Sequence, residues 1–335
     1  MRAEVTVQGA GVMGLALGWV CAARGARVRV IDPRGPGAGA SGGLVGALAP
    51  HAPERWDEAK AFQRDALLAA GTFWEGVRAA GGVDPGWART GRLLPLPDRH
   101  AVAIAEARAK AAEDLWAGAA VWRLEAAPDG WGPVSASGLV VRETLSGRVA
   151  PRRAVAALAA AIRERGGEIV PDGPEEGPIV EATGWEGLAA RGWGGAVRGQ
   201  AALLRLAGRE TAPQIHGPGL YVVPHADGTV AVGSTSEPGE TGPATDDRLE
   251  ALIARAQALV PALAGAPVIE RWAGARPRAA TGRLVMGQAA DGRYVLNGGF
   301  RTGFGLAPLA AAVMADLILD GRDGIPATFR LPETR

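Results

Sequence analysis

The chain has 335 residues, enough for two modest domains, and its 47% hydrophobic and 21% charged residues describe an ordinary globular protein and exclude disorder. A formal net charge of +1, from 36 basic and 35 acidic side chains, leaves no excess with which to hold a nucleic-acid backbone, so no nucleic-acid partner is expected. A single cysteine, Cys21, excludes an intrachain disulfide framework and a cysteine metal cluster, and no metal site is expected.

The N-terminus leads into strand-like residues without the basic stretch, apolar core and small-residue cleavage site of a secretory signal, so a cytoplasmic location is expected. Val5 to Val7 read as a buried strand, followed by Gly9, Gly11 and Gly14 and then by Leu15, Trp19, Val20 and Ala23 at helical spacing. Cys21 falls in this helix as a buried, inert thiol. The uncharged apolar stretch from Gly9 to Ala23 is too short and too glycine-broken to cross a membrane, and no span is expected. Gly25 stops the helix, and Val28 to Ile31 form a second strand that ends in Asp32 and completes a strand-helix-strand unit. A loop from Pro33 to Pro53, dense in Gly and Ala, precedes an amphipathic helix marked by Phe62, Ala66, Ala69, Phe73 and Val77 and closed by Gly81 and Gly82.

From about Val83 to Leu145 the pattern changes to Pro, Trp and short alternating pieces around an Ala-rich helix near His100 to Leu115, which predicts a different domain. A helix returns at Val155, Leu158, Ala159 and Ile162, ends at Gly166 and Gly167, and leads to short strands at Ile169 and at Ile179 to Val180. Leu220 to Val223 and Thr229 to Gly233 flank Ala226-Asp227-Gly228 as a hairpin. Thr245 is expected to cap a helix carrying Leu249, Leu252, Ile253, Ala256 and Leu259. The last strand, Tyr294 to Leu296, feeds a glycine-rich turn and a final helix through Leu306, Leu309, Val313 and Leu317, and the residues after Asp320 are expected to form a tail.

The pattern Gly9-x-Gly11-x-x-Gly14 between a strand and a helix permits a tight turn, close approach of the backbone to a pyrophosphate, and placement of that pyrophosphate at a helix N-terminus. Asp32, 23 residues after Gly9 and at the end of the second strand, is placed to accept the ribose hydroxyls of an adenine dinucleotide. Together these predict dinucleotide binding without separating FAD from NAD.

Five further blocks carry a resemblance: ASGGLVGALAPH from Ala40 to His51, EATGW from Glu181 to Trp185, YVVPHADGTVAVGST from Tyr221 to Thr235, WAGARPRAATGRLVMG from Trp272 to Gly287, and NGGFRTGFGLAP from Asn297 to Pro308. In order and spacing, over nearly the whole chain, they are similar to the FAD-dependent D-amino-acid oxidase family and within it look most like bacterial glycine oxidases. The resemblance implies an α/β protein with a Rossmann-like FAD-binding domain and a discontinuous, antiparallel-sheet substrate domain. It implies residues 1–82, 146–195 and 273–335 for the first, and 83–145 and 196–272 for the second. It also implies non-covalent FAD, since neither His51 nor Cys21 matches a tethering motif.

Carried onto this chain, the cofactor contacts fall first on Gly9, Ala10, Gly11, Val12, Met13 and Gly14, then on Ile31, Asp32 and Pro33. Ser41, Gly46, Ala47 and Leu48 would let the backbone approach a flat ring system. Ala182, Thr183, Gly184 and Trp185 form a narrow turn at the carboxyl end of a strand, where parallel sheets bind ligands, and Val170 would touch the adenine. Gly299, Phe300, Arg301, Thr302, Gly303 and Phe304 precede the final helix, whose free amides would face the N1/O2 edge of a reduced flavin. Arg276, held extended by Pro277, matches the arginine that anchors a substrate carboxylate, where a guanidinium can fork onto both oxygens, with Tyr221 and Arg301 as further contacts. His51 lies where the resembling loop passes the flavin.

The implied reaction is oxidative deamination of a small amino acid or amine, with hydride passing to flavin N5 and oxygen or a quinone as electron acceptor. A D-amino-acid or secondary-amine dehydrogenase, a tRNA-modifying flavin oxidoreductase and a non-enzymatic dinucleotide-binding module remain alternatives, and a homo-oligomer is allowed. The chain departs from the family pattern at Thr281 and Leu284, where an aspartate and a proline are usual, at Gly299, where a histidine is usual, and at Ser236, where a glycine oxidase presents an apolar pocket wall. The segment between Gly167 and Ile179 is too short for the usual hairpin over the adenine.

Overall fold

The computed structural model describes residues 4–332, so the ends of the expected domain ranges at 1–3 and 333–335 lie outside the described residues. The first unit forms as its pattern predicts: β1 (Glu4–Gln8), α1 (Val12–Ala23) and β2 (Arg27–Ile31) follow one another with two short turns. β3 (Ala47–Leu48) then leads to α2 (Glu58–Gly81), which Asp57 caps by accepting from the Lys60 amide at 2.9 Å and which Gly82 ends in a left-handed conformation. Its buried stripe runs through Phe62, Ala66, Ala70, Trp74 and Val77, whereas Ala69 faces solvent and Phe73 is half-buried, so the expected stripe was one residue out of phase there.

β4 (Arg92–Pro95), α3 (Arg99–Leu115), β5 (Trp122–Ala126), β6 (Leu139–Glu143) and β7 (Gly147–Arg148) make up the middle of the chain, followed by α4 (Pro151–Glu164), β8 (Glu168–Val170), β9 (Ile179–Glu181) and α5 (Gly184–Ala190). β10 (Gly194–Arg205), β11 (Gln214–Gly217), β12 (Leu220–Pro224), β13 (Thr229–Gly233) and β14 (Glu237–Pro238) come next. α6 (Asp247–Leu259) follows, capped by Asp246 and not by Thr245. The Asp246 carboxylate reaches the Arg248 amide at 3.0 Å, a bond that a residue one position earlier is not placed to make. β15 (Val268–Ala279), β16 (Val285–Gln288), β17 (Tyr294–Asn297) and α7 (Gly303–Asp320) complete the elements.

Two large sheets divide the strands. The six-stranded sheet has the order β16-β17-β9-β1-β2-β8 and is parallel except for β16. The nine-stranded sheet has the order β14-β10-β13-β12-β11-β4-β6-β5, with β15 along the other edge of β10, and only its β11–β4 pair is parallel. β10 begins at Gly194 and β15 runs on to Ala279, so this long ribbon crosses both of the chain divisions expected near 195 and 273.

One core buries Val5, Val7, Val30, Val180 and Leu296 of the first sheet against α1, α2, α4 and α7, and a second packs Leu204, Ile215, Val222 and Val232 of the other sheet against Leu249, Leu252 and Ile253 of α6. Cys21 is fully buried in α1, and burial pushes its thiol up to about 12. α7 is the one helix among the described residues long and apolar enough to cross a membrane, at a mean hydropathy of 1.6; Leu306, Ala310, Ala311 and Met314 bury it in the first core beside α1 and α2.

The described residues after Asp320 do not form a free tail. Ile325 and Phe329 are buried, and the Phe329 ring packs edge-on against Phe62 of α2 with centroids 5.0 Å apart. Apolar side chains beyond the last helix thus close the bottom of the first core. Phe329→Ala is expected to cost about 3–5 kcal/mol of stability. Denaturant unfolding measures it, and a loss below about 1 kcal/mol would show that this segment does not belong to the core.

Candidate active site

A cavity of about 1020 Å³ opens at the carboxyl ends of β1, β2, β9 and β17 and runs to the inner face of the nine-stranded sheet. Its size is at the top of the roughly 300–1,000 Å³ typical of small-molecule sites, which suits a dinucleotide with a substrate beyond it. At one end lies the β1–α1 turn. A side chain at position 14 would place its Cβ 2.0 Å from the Gly9 carbonyl oxygen, so only glycine lets helix and strand approach this closely. The first amide of α1, on Val12, donates to Ser41 Oγ at 2.9 Å, so this hydroxyl lies at a helix N-terminus, a place that favours anions. Asp32 accepts from the Ala10 amide at 2.8 Å and the Arg34 amide at 3.0 Å, which fixes its carboxylate at the cavity wall with lone pairs to spare.

The remaining expected cofactor residues divide by place. Gly9, Gly11, Val12, Met13, Ile31 and Pro33 line the cavity, as do Ser41, Gly46, Ala47 and Leu48 and the turn from Ala182 to Trp185. Gly299 to Phe304 line the far wall, where α7 begins without a side-chain cap, so its first amides are unclaimed by any capping group. Ala10 and Gly14 lie behind the turn, and Val170 sits at the edge of the sheet, where its carbonyl accepts from the Asp32 amide at 3.0 Å; these three do not line the cavity. Ser236 is exposed and lies outside it too. Gly299 has a steric reason: a Cβ there would meet Met13 Cε at 2.8 Å and Gly303 Cα at 2.9 Å.

At the other end stand the arginines. Arg276 projects from β15, with Nη1 donating to Ser234 Oγ at 2.7 Å, Nη2 to the Thr235 and Arg198 carbonyls at 2.8 and 3.2 Å, and Nε to the Val197 carbonyl at 3.4 Å. Its guanidinium lies across Gly199, where a Cβ would come within 2.7 Å of Arg276 Cζ, and against the Phe300 ring at 5.1 Å. Among the described residues no carboxylate pairs with it. Burial, reinforced by Arg301, brings its pKa down to about 10, so it stays cationic at neutral pH. Arg301 is exposed, lines the same space and sits 5.3 Å from the Phe300 centroid. The two-pronged approach to a carboxylate expected of Arg276 is reduced in the structure to one unengaged Nη1–H.

Tyr221 lines the cavity from β12 and stacks on His216 of β11, ring centroids 4.3 Å apart. Its hydroxyl oxygen accepts from Arg92 Nη1 at 3.3 Å. Arg92 is buried, forms a 3.1 Å ion pair with the fully buried Glu143, and gives Nη2 to the Pro50 carbonyl at 3.2 Å. His51 is exposed at the cavity wall; its backbone amide donates to Gln63 Oε1 at 2.8 Å and its ring Nδ1 contacts the same oxygen. Sequence reading did not single out Gln63, Arg92, His216 or Ser234; the last lies inside the quoted YVVPHADGTVAVGST block, whereas nothing in the local pattern marks the others.

His216 has a measurable signature. Burial first, and then the charges of Arg92 and Arg301, push its pKa down to about 4. An unfolded chain takes up this proton near pH 6.5 and the folded one only near 4, so the stability is present above 6.5 and is lost as the pH falls through 4. The loss through this one group is about 3 kcal/mol, and His216→Gln should flatten the stability profile between these limits. Denaturant titrations at successive pH values measure it; an unchanged slope in the variant would show that His216 protonates freely in the fold.

The family profile described as FAD dependent oxidoreductase, DAO, matches residues 4–317. Glycine oxidase of Pseudomonas putida is 33% identical over 165 residues, 47% of this chain, and that match spans 45% of the Pseudomonas protein, less than half its length. Glycine oxidase of Geobacillus kaustophilus is 26% identical over 375 aligned positions, covering 95% of this chain and 93% of the relative. The crystal structure of that enzyme superposes with a TM-score of 0.85 at 22% identity, over 100% of this chain and 99% of the other. The structure of iminodiacetate oxidase from Chelativorans sp. BNC1 also gives 0.85, at 23% identity over 98% and 100% of the two chains. With the glycine turn, Asp32 and the α7 terminus gathered around one cavity and the family profile covering almost the whole length, the chain belongs to the DAO family of FAD-dependent oxidoreductases.

Proposed function

We propose that the protein oxidatively deaminates a small amino acid, in the manner of the glycine oxidases it is similar to, with oxygen as the final acceptor. The observation that carries this reading is the half-buried Arg276 guanidinium, which faces the cavity with no carboxylate partner among the described residues. A cation held that way selects an anionic ligand. FAD, when bound, supplies the acceptor for the hydride that leaves the carbon beside the substrate nitrogen.

The chain's own residues divide the remaining work. The β1–α1 turn, Ser41 and Asp32 hold the dinucleotide, and the uncapped start of α7 presents amides to an anionic edge of the ring. Arg276 and Tyr221 fix the carboxylate, so that the carbon bearing the nitrogen is presented in one orientation. The acidic residues that line the cavity, Asp32 and Glu186, both stand at the nucleotide end, Glu186 being paired with Arg34 at 2.8 Å. Among the described residues no carboxylate base lines the substrate end, and His216 is too weakly basic to serve there, so the amine enters neutral and loses its proton to solvent beforehand. The six-stranded sheet with its helices forms the cofactor side of this reading and the nine-stranded sheet the substrate side.

Arg276→Ala is expected to lower kcat/KM for amino acids by roughly thirty- to several-thousand-fold, about 2–5 kcal/mol, while amines without a carboxylate lose little. Matched acid and amine substrates, with FAD content measured alongside, decide it; equal losses on both would remove Arg276 from the carboxylate. Asp32→Ala should weaken FAD binding by about 1.5–3 kcal/mol, through loss of a charged hydrogen-bond acceptor. Acid precipitation should release intact FAD into the supernatant, and flavin held in the pellet would contradict non-covalent binding.

A further inference from the structure

The donors around Arg276 do not add up to a carboxylate site without help. A guanidinium has five N–H groups. In this structure Nη2 spends both of its own on the Arg198 and Thr235 carbonyls, Nε turns to the Val197 carbonyl, and Nη1 gives one to Ser234 Oγ. One Nη1–H remains. A carboxylate has two oxygens and about four lone-pair sites, so a single donor would leave most of its charge unsolvated in a half-buried wall.

Two hydroxyl groups line the same cavity in complementary states. Ser234 Oγ accepts from Arg276 at 2.7 Å, and its own proton meets no acceptor among the described residues. Tyr221 Oη accepts from Arg92 at 3.3 Å, and its proton is likewise unclaimed. In each case an arginine N–H occupies a lone pair of the hydroxyl oxygen. The O–H is then turned away from the arginine and polarised into a stronger donor. Tyr221 of β12 pairs with Gly233 of β13, the residue before Ser234, and both Tyr221 and Ser234 line the cavity.

We propose that the substrate carboxylate is held by three donors, the free Nη1–H of Arg276 and the hydroxyls of Ser234 and Tyr221, and that Arg92 is the positioning residue that aims the Tyr221 hydroxyl into the cavity. This rests on the amino-acid reading above and adds Ser234 and Arg92 to it. Arg92 is buried and held in place by its 3.1 Å ion pair with Glu143 and by the Nη2 bond to the Pro50 carbonyl, while Nη1 donates to the Tyr221 hydroxyl. Ser234 ties the hydroxyl to the anchor itself. A substrate that lacks the carboxylate leaves both hydroxyls unpaired, which is how the site discriminates against simple amines.

The test uses the FAD-loaded protein and acetate, a carboxylate that cannot be oxidised at a carbon bearing nitrogen, followed by its perturbation of the flavin spectrum. Kinetics on glycine run in parallel. Ser234→Ala is expected to weaken acetate roughly tenfold and to raise KM for glycine in the same proportion, with kcat little changed and Ser234→Thr restoring both. The exposed Ser236→Ala serves as control and should match the wild type. Arg92→Lys should weaken acetate in the wild-type background and do nothing further in the Tyr221→Phe background. Should Arg92→Lys fail to fold, Tyr221→Phe alone decides that arm, since an unchanged acetate affinity would remove the hydroxyl that Arg92 is said to aim. An acetate affinity in Ser234→Ala equal to that of Ser236→Ala overturns the proposal, as does a wild type that binds no acetate. If acetate behaves as expected while glycine is not oxidised, the cradle stands and the proposed reaction falls.

Discussion

The Arg276 guanidinium is tied down by main-chain carbonyls and pairs with no carboxylate among the described residues, and that constraint bears on the architecture of the second sheet. Backbone carbonyls can hold Arg276 only if its strand has a partner whose edge is exposed at the right register. The twelve-residue ribbon of β10 and β15 provides this, with Arg276 opposite Val197. Gly199 removes the side chain that would otherwise occupy the guanidinium's place. A carboxylate partner is the commoner way to bury an arginine, and none stands beside Arg276 among the described residues.

The opposite strategy is visible at Arg92, which touches the cavity-lining Tyr221. Arg92 is buried with its counter-ion: Glu143 pairs with it and in turn receives the Leu145 and Ser146 amides at 2.8 and 3.0 Å. This arginine is neutralised and structural, and it joins the sheet that carries Tyr221 to the Pro50 carbonyl of the loop along the cofactor cavity. One cation has no carboxylate partner among the described residues and the other is charge-paired, although the buried Nε of Arg92 itself makes no hydrogen bond. Arg276 lines the cavity, whereas Arg92 stands behind its wall and touches the lining residues Tyr221 and Pro50.

The parts of this arrangement that lie within one turn of chain were legible beforehand. The β1–α1–β2 unit, Asp32 at its end, the hairpin of β12 and β13 and the uncapped start of α7 each depend on a few neighbouring residues, and the periodicity of apolar and small side chains records them. What escaped depends on distant pairing. Arg92 reaches Tyr221 across 129 positions, and Arg276 meets Ser234 across 42, through strand neighbours that no local pattern reveals. The errors of detail have the same origin. Ala69 satisfies helical spacing but faces solvent, because α4 and α7 cover a different stripe of α2 than local hydrophobicity suggests. The C-terminal segment looked like a tail because Ile325 and Phe329 are too sparse to form an element alone, yet a groove beside α2 takes them up.

The buried state of Cys21 has a practical side. A thiol with its pKa near 12, sealed inside α1, is almost wholly protonated and out of reach of electrophiles in the folded protein. Since it is the chain's sole cysteine, the native surface is a blank background for thiol chemistry. A reporter placed by substitution at an exposed site such as Ser236 would react alone, without first removing a cysteine from the core. Conversely, labelling of the unaltered chain would count molecules whose first helix has come away from its sheet, making Cys21 an internal gauge of unfolding.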